Sequence, residues 1–250
     1  MEFNAMNLAI ILGIGIMQGF LNTVAGGGTL LVLPALSFLG VDIAVANATN
    51  RIAIIFQSIA GATSFNNQKV LPIRTALPLA AITSFGSVFG ALLAVNVEKH
   101  ILNLTIACLI SIMAILLVFN PKMWETKREK HWPKSVVFLI FFLIGVYGGF
   151  IQAGIGFFFA WALALAAGAD LVVGNAIKTV IIGCYNVVSL LIFMTSGLVD
   201  WSLGIALAVG SVAGAVIGAN FAVARGNRWL RWILAVVVVI SAAKMFIDTL

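Results

Sequence analysis

Long apolar stretches alternate with short polar breaks along the chain. In the first half the apolar segments cover residues 6–21, 28–40, 43–65, 71–97 and 101–119; in the second, 136–152, 154–168, 171–197, 202–224 and 229–247. Runs of this length and apolarity predict membrane helices. The first two segments of each half fall short of the ~20 residues that span a bilayer comfortably. They meet at glycine-rich breaks, Ala25 to Gly28 and Gly154-Ile155-Gly156. This pattern predicts either a re-entrant hairpin or two short, tilted helices at the start of each half.

The pattern repeats. Gly40-Val41-Asp42 through Asn47-Ala48-Thr49-Asn50-Arg51 returns as Gly168-Ala169-Asp170 through Asn175-Ala176-Ile177-Lys178-Thr179, 128 residues on. Each copy opens a long apolar segment with Asp, a good helix N-cap. Each then places a cation, Arg51 or Lys178, roughly 12–14 Å down the helix, about half the hydrocarbon thickness. Gly86 and Gly90 match Gly214 and Gly218 at the same spacing, and Gln18 to Asn22 resembles Gly148 to Gln152. Small residues four apart let helices approach closely in lipid. The expected organisation is therefore a first transmembrane repeat over 1–119, a basic linker over 120–135 and a second repeat over 136–250.

Composition agrees with this reading. Of 250 residues, 62% are hydrophobic and 9% charged, with mean hydropathy +1.16; a soluble domain carries about a quarter charged residues. The stretch from Met6 to Phe20 follows Glu2, with no Lys or Arg and no small-x-small site, so it reads as a retained segment rather than a cleaved leader. The net charge of +6 lies mostly in short loops and is no nucleic-acid signal. Lys69, Arg74, the linker lysines and Arg225, Arg228 and Arg231 place their loops in the cytoplasm; Asp200 and Glu2 place theirs outside. Equivalent loops of the two halves then lie on opposite sides. The expected fold is an all-α polytopic membrane protein of two inverted-topology repeats, both termini outside, an architecture of secondary transporters.

On a wheel of about 100° per residue, Asn47, Asn50, Arg51, Ile54, Gln57, Ser58 and Gly61 share one arc. The equivalents Asn175, Lys178, Thr179, Ile182, Tyr185, Asn186 and Ser189 share it too. A polar stripe on an apolar helix must face protein or water. For Gln57, Ser58 and Ser189, hydrogen bonding between helices explains the polarity as well as any function does. For Arg51 and Lys178 a partner must be named, and all eight acids sit at segment ends, linkers or termini. An unpaired buried cation costs several kcal/mol; an anionic substrate would offset that cost while bound. Backbone N–H groups at the glycine breaks (Gly26, Gly27, Gly154) also favour anions, with Asn22, Thr23 and Gln152 beside them. His100 and His131 are in loops and no G-x-S-x-G or H-E-x-x-H occurs, so no acid, base or metal site is positioned for an intramembrane enzyme. Cys108 and Cys184 have no metal-ligand spacing. No cofactor is expected. The expected partners are a small anion, the lipid bilayer and at most a second copy of the chain.

Two sets of residues carry a family resemblance: Asn22-Thr23-Val24-Ala25-Gly26-Gly27-Gly28-Thr29-Leu30 with Leu33-Pro34, and Ala46 to Asn50 with Gly61. With Gly168 to Lys178, they make the chain similar to the TauE/SafE sulfite-exporter-like permeases. The resemblance implies a bacterial inner-membrane carrier of sulfite or of an organosulfonate such as sulfoacetate. An anion channel is the alternative from another class. A thiosulfate uptake carrier is the alternative within the family, but its members of that kind are associated with functional cysteines, and Cys184 lies off the Lys178 face of its helix. A structural subunit of a larger complex has little support.

Overall fold

The computed structural model describes residues 5–24, 26–98, 100–105, 108, 132–167 and 171–248, without the side chains of 165–167, 171 and 226–248. Residues 120–131 of the basic linker, most of the predicted segment 101–119 and Asp170 fall outside the described residues, and the linker's last two residues already belong to a helix. We label the helices α1 (Ala5–Val24), α2 (Gly28–Phe38), α3 (Ile43–Asn67), α4 (Ile73–Asn96), α5 (Lys134–Phe150), α6 (Ile155–Ala167), α7 (Leu171–Met194) and α8 (Trp201–Asp248). No strand occurs among the described residues.

Among the described residues, five stretches are long and apolar enough to cross a membrane: α1, α3, α4, α7 from residue 172, and Trp201–Arg225 of α8. The predicted short pairs are therefore corrected at one member. Helix α1 has 20 residues rather than the 16 of segment 6–21 and reaches spanning length; α2, α5 and α6, with 11, 17 and 13, stay short. Asn22 and Thr23 look like loop residues but remain helical. The structure gives the Asn22 amide a partner in Thr29 of α2, so polarity there does not require water. A second correction concerns the C-terminal pair. The backbone stays helical from Trp201 to Asp248, where the charge pattern predicts a turn between 224 and 229. Arginines mark an aqueous boundary but interrupt no backbone hydrogen bond, and no proline stands there.

Helix α3 begins as its sequence dictates. Asp42 is the N-cap, its Oδ1 accepting from the Ala44 and Val45 amides at 3.0 and 3.4 Å. Along α3 the polar arc is buried, while Phe56 and Ile59 on the other side are more than half exposed, as a lipid-facing surface should be.

The halves are interleaved. Helix α1 packs against α8, and α4 against α5, through glycines that meet backbone. A Cβ on Gly214 would overlap the Ile16 carbonyl, and one on Gly86 the Phe142 carbonyl. Gly218 and Gly90 make the matching contacts one turn on, with the Phe20 and Val146 carbonyls. Both pairs run parallel, because residue numbers rise together along the contact. The partners Ile16 and Phe142 are 126 apart, whereas the match of Gly19 with Gly149 in sequence spans 130. Packing thus places α5 against its neighbour one helical turn from the register suggested by sequence.

Candidate functional site

Two breaks in the helices bring the polar residues together. Gly26 (φ +86°) sits between α1 and α2, and Gly154 (φ +70°) between α5 and α6. Both values lie in the left-handed region that glycine enters without steric cost. A chain interrupted inside a membrane frees backbone groups that must find partners, and α3 and α7 supply them. Asn47 Nδ2 donates to the last carbonyl of α5, Phe150, at 3.1 Å. Asn175 Nδ2 donates to the last carbonyl of α1, Val24, at 2.9 Å. The two asparagines occupy the same place in the repeated motif.

The cations attach to different breaks. Arg51 is wholly buried, and it donates through Nη1 to the Gly148 carbonyl (3.2 Å) and Asn186 Oδ1 (3.3 Å), and through Nη2 to the Gly149 carbonyl (2.7 Å). The Phe193 ring covers the guanidinium at 4.5 Å. Lys178 is also wholly buried. Its ammonium donates to Asn175 Oδ1 at 2.6 Å, one turn back on its own helix, and through Asn175 it belongs to the α1 break. None of these acceptors is a carboxylate. Asn186 lies eight residues beyond Lys178, about 12 Å along α7. The Lys178 head points away from it, toward the helix N-terminus, so one small oxyanion cannot touch both cations.

The other expected residues divide between the same two places. Beside the α5 break, Gln152 Nε2 donates to the Asn47 carbonyl at 3.4 Å, and the buried Tyr185 ring packs so close that a Cβ on Gly148 would lie 3.1 Å from its Cζ. Beside the α1 break, the Asn22 amide holds Thr29 at the start of α2. A Cβ on Gly61 would lie 3.7 Å from Thr23 Oγ1 and 3.2 Å from Thr179 Cγ2. Gly27 is the residue before α2. Thr179 spends its hydroxyl proton on the Asn175 carbonyl at 2.7 Å, and Asn50 accepts from Gln18 Nε2 at 2.6 Å. Gln57 is buried on the same face with its carbonyl oxygen unpartnered.

Among the described residues, buried side-chain atoms without a protein partner include the donors Asn50 Nδ2 and Arg51 Nε, the Tyr185 and Ser189 hydroxyls, and the acceptors Gln18 Oε1, Asn47 Oδ1 and Gln152 Oε1. Three residues beyond the expected binding residues prove to be part of the framework: Asn186, which sequence places on the polar arc, and Gln18 and Phe193. Gln18 is a lone amide in an apolar run and was legible; nothing in sequence distinguishes Phe193 from the chain's other phenylalanines. Cys184 is exposed, in a cleft of about 420 Å³ between α3 and α7 that Thr179 also lines, while Lys178 is buried.

Comparison with known proteins fits this arrangement. Residues 11–245 match the model of the family described as sulfite exporter TauE/SafE. The chain is 28% identical to the probable membrane transporter protein YfcA of Escherichia coli, over 97% of this chain and 90% of that one. It is 26% identical to the probable membrane transporter protein ORF9 of a Sinorhizobium species, over 96% and 93%. The same identity holds for a probable membrane transporter protein of Haemophilus influenzae, over 96% and 95%. No solved structure gives a significant match. With its helical fold, five spanning stretches among the described residues and a family match over nearly its whole length, the chain is a multi-pass membrane protein that belongs to the TauE/SafE sulfite exporter family of transporters.

Proposed function

We propose that this protein is a secondary carrier that moves a small sulfur-containing anion, sulfite or an organosulfonate such as sulfoacetate, by alternating access between two inverted repeats. The observation that carries the reading is Lys178. Its ammonium is wholly buried, and among the described residues its one acceptor for three N–H groups is the neutral Asn175. A dry cation so placed favours an anion that can take the remaining donors. The family name points to the sulfur oxyanions, and no carboxylate among the described residues bonds to either cation, which argues against a proton relay of the Asp or Glu kind. The breaks touching near the Lys178 helix, and the parallel exchange of α1 and α5 between halves, suit a site held between two repeats.

The test uses purified protein in liposomes with labelled sulfite. A carrier saturates and accelerates labelled uptake when unlabelled sulfite is trapped on the other side. A non-saturating flux without counterflow, at rates reached by ion currents, would replace the carrier with a channel. Transport of thiosulfate, blocked by modifying Cys184, would redirect the substrate assignment.

A further inference from the structure

Arg51 and Lys178 look alike in sequence, each a cation at the matching depth of a repeated helix. Their surroundings differ. The last three carbonyls of α5 all receive a side chain from α3: Gly148 and Gly149 from Arg51, Phe150 from Asn47. At the end of α1, the one such contact among the described residues is Asn175 on Val24. Carbonyls at a helix C-terminus carry the negative end of the helix dipole and lack intrahelical donors. A guanidinium answers two of them at once, because its N–H groups project as a fixed fork. Asn186 and Phe193 then hold the same guanidinium from α7. One side chain so ties α3, α7 and the end of α5 together. Among the described residues, Lys178 bonds only within its own helix.

We propose that Arg51 is a positioning residue, a clasp that fixes the α5 break against α3 and α7, and that the α1 break, whose last carbonyl is held by a neutral amide and by no cation among the described residues, is the one that opens. The anion is left to Lys178, and that clause rests on the carrier reading above; the clasp itself does not. The distance along α7 supports the division, since a small anion held by Lys178 is about 12 Å short of the level at which Arg51 is bound.

The test combines two readouts on full-length protein in nanodiscs and liposomes. The first is amide hydrogen exchange without any anion. In the wild-type chain, residues 148–155 exchange more slowly than residues 21–24 and 26–28. Arg51→Met accelerates exchange at 148–155 by about tenfold or more and leaves 21–24 and 26–28 within about twofold, as expected when one local opening is released. Lys178→Met leaves 148–155 unchanged. The second readout is sulfite transport. Arg51→Met lowers the maximal rate with little change in KM, whereas Lys178→Met raises KM. Should Arg51→Met not fold, Arg51→Lys takes its place: the charge stays, but a point ammonium cannot span both carbonyls, and exchange at 148–155 still rises. Unchanged exchange at 148–155 in the Arg51 variant overturns the clasp, as does a KM rise equal to that of Lys178→Met. A wild-type protein that moves no sulfite overturns the carrier reading instead, and the exchange readout still decides the clasp.

Discussion

Gly26 and Gly156 meet backbone to backbone: a Cβ placed on Gly26 would stand 2.6 Å from both Cα and the carbonyl carbon of Gly156. This contact joins the α1–α2 break to the start of α6, where no side chain of any size fits. Gly26→Ala is expected to destabilise the protein by more than the ~1–3 kcal/mol typical of overpacking, because φ +86° adds a penalty of about 1–2 kcal/mol for an L side chain. Gly156→Ala should show the packing cost alone. Gly13, in the same α1 and with open space around its Cα, is the control; Gly13→Ala should be neutral or slightly stabilising. Thermal unfolding in detergent ranks the three, and a Gly26→Ala protein as stable as Gly13→Ala would show that the breaks do not touch in solution.

Replacing Lys178 should weaken anion binding most. Lys178→Ala removes the charged partner of a desolvated pair, a change worth about 2–5 kcal/mol. Lys178→Arg should restore only part of it, since a planar fork and a compact ammonium present their donors differently. Titration of purified variants with sulfite, at matched thermal stability, measures the effect. Wild-type affinity in Lys178→Ala would move the site away from the α1 break.

Asn175 and Asn47 do matching jobs at the two breaks but differ in one respect: Asn175 also accepts from Lys178. Asn47→Leu should cost about 1–3 kcal/mol by leaving the Phe150 carbonyl without its donor. Asn175→Leu should cost more, because it strands the Val24 carbonyl and the ammonium together. A double-mutant cycle separates the parts. Lys178→Met with Asn175→Leu should show a coupling of about 0.5–3 kcal/mol, and Lys178→Met with Asn47→Leu should be additive. Additivity in the first pair would mean that the 2.6 Å contact contributes nothing.

Loop charge sets the orientation to be tested. The loop carrying Lys69 and Arg74 should face the cytoplasm and the one before Asp200 the outside. Membrane-impermeant thiol reagents applied to right-side-out and inverted vesicles read this directly, on Val199→Cys and Gln68→Cys in a chain whose two native cysteines are replaced. Labelling of position 199 from the cytoplasmic side would reverse the topology and, with it, the assignment of each break to an access route.

What the sequence determined follows from local rules. Apolar run length, a capping Asp, and glycine at the breaks decide where helices start and stop, since each depends on neighbours in the chain. The buried face of α3 and α7 was equally legible, because a stripe of amides and a cation has nowhere to go in lipid but inward. The repeat showed which positions correspond. Only the tertiary structure decided what those positions do. Arg51 and Lys178 are equivalent in kind and depth, yet one reaches the terminal carbonyls of a helix 97 residues away and the other an amide three residues back. That outcome depends on which helix end lies within a side chain's length. The end is placed by glycine contacts between α4 and α5, one helical turn from the register that sequence matching suggests. No pattern along one helix records the position of another helix's break, so the contacts of Gln18 with Asn50 and of Asn186 and Phe193 with Arg51 were decided only when the helices packed.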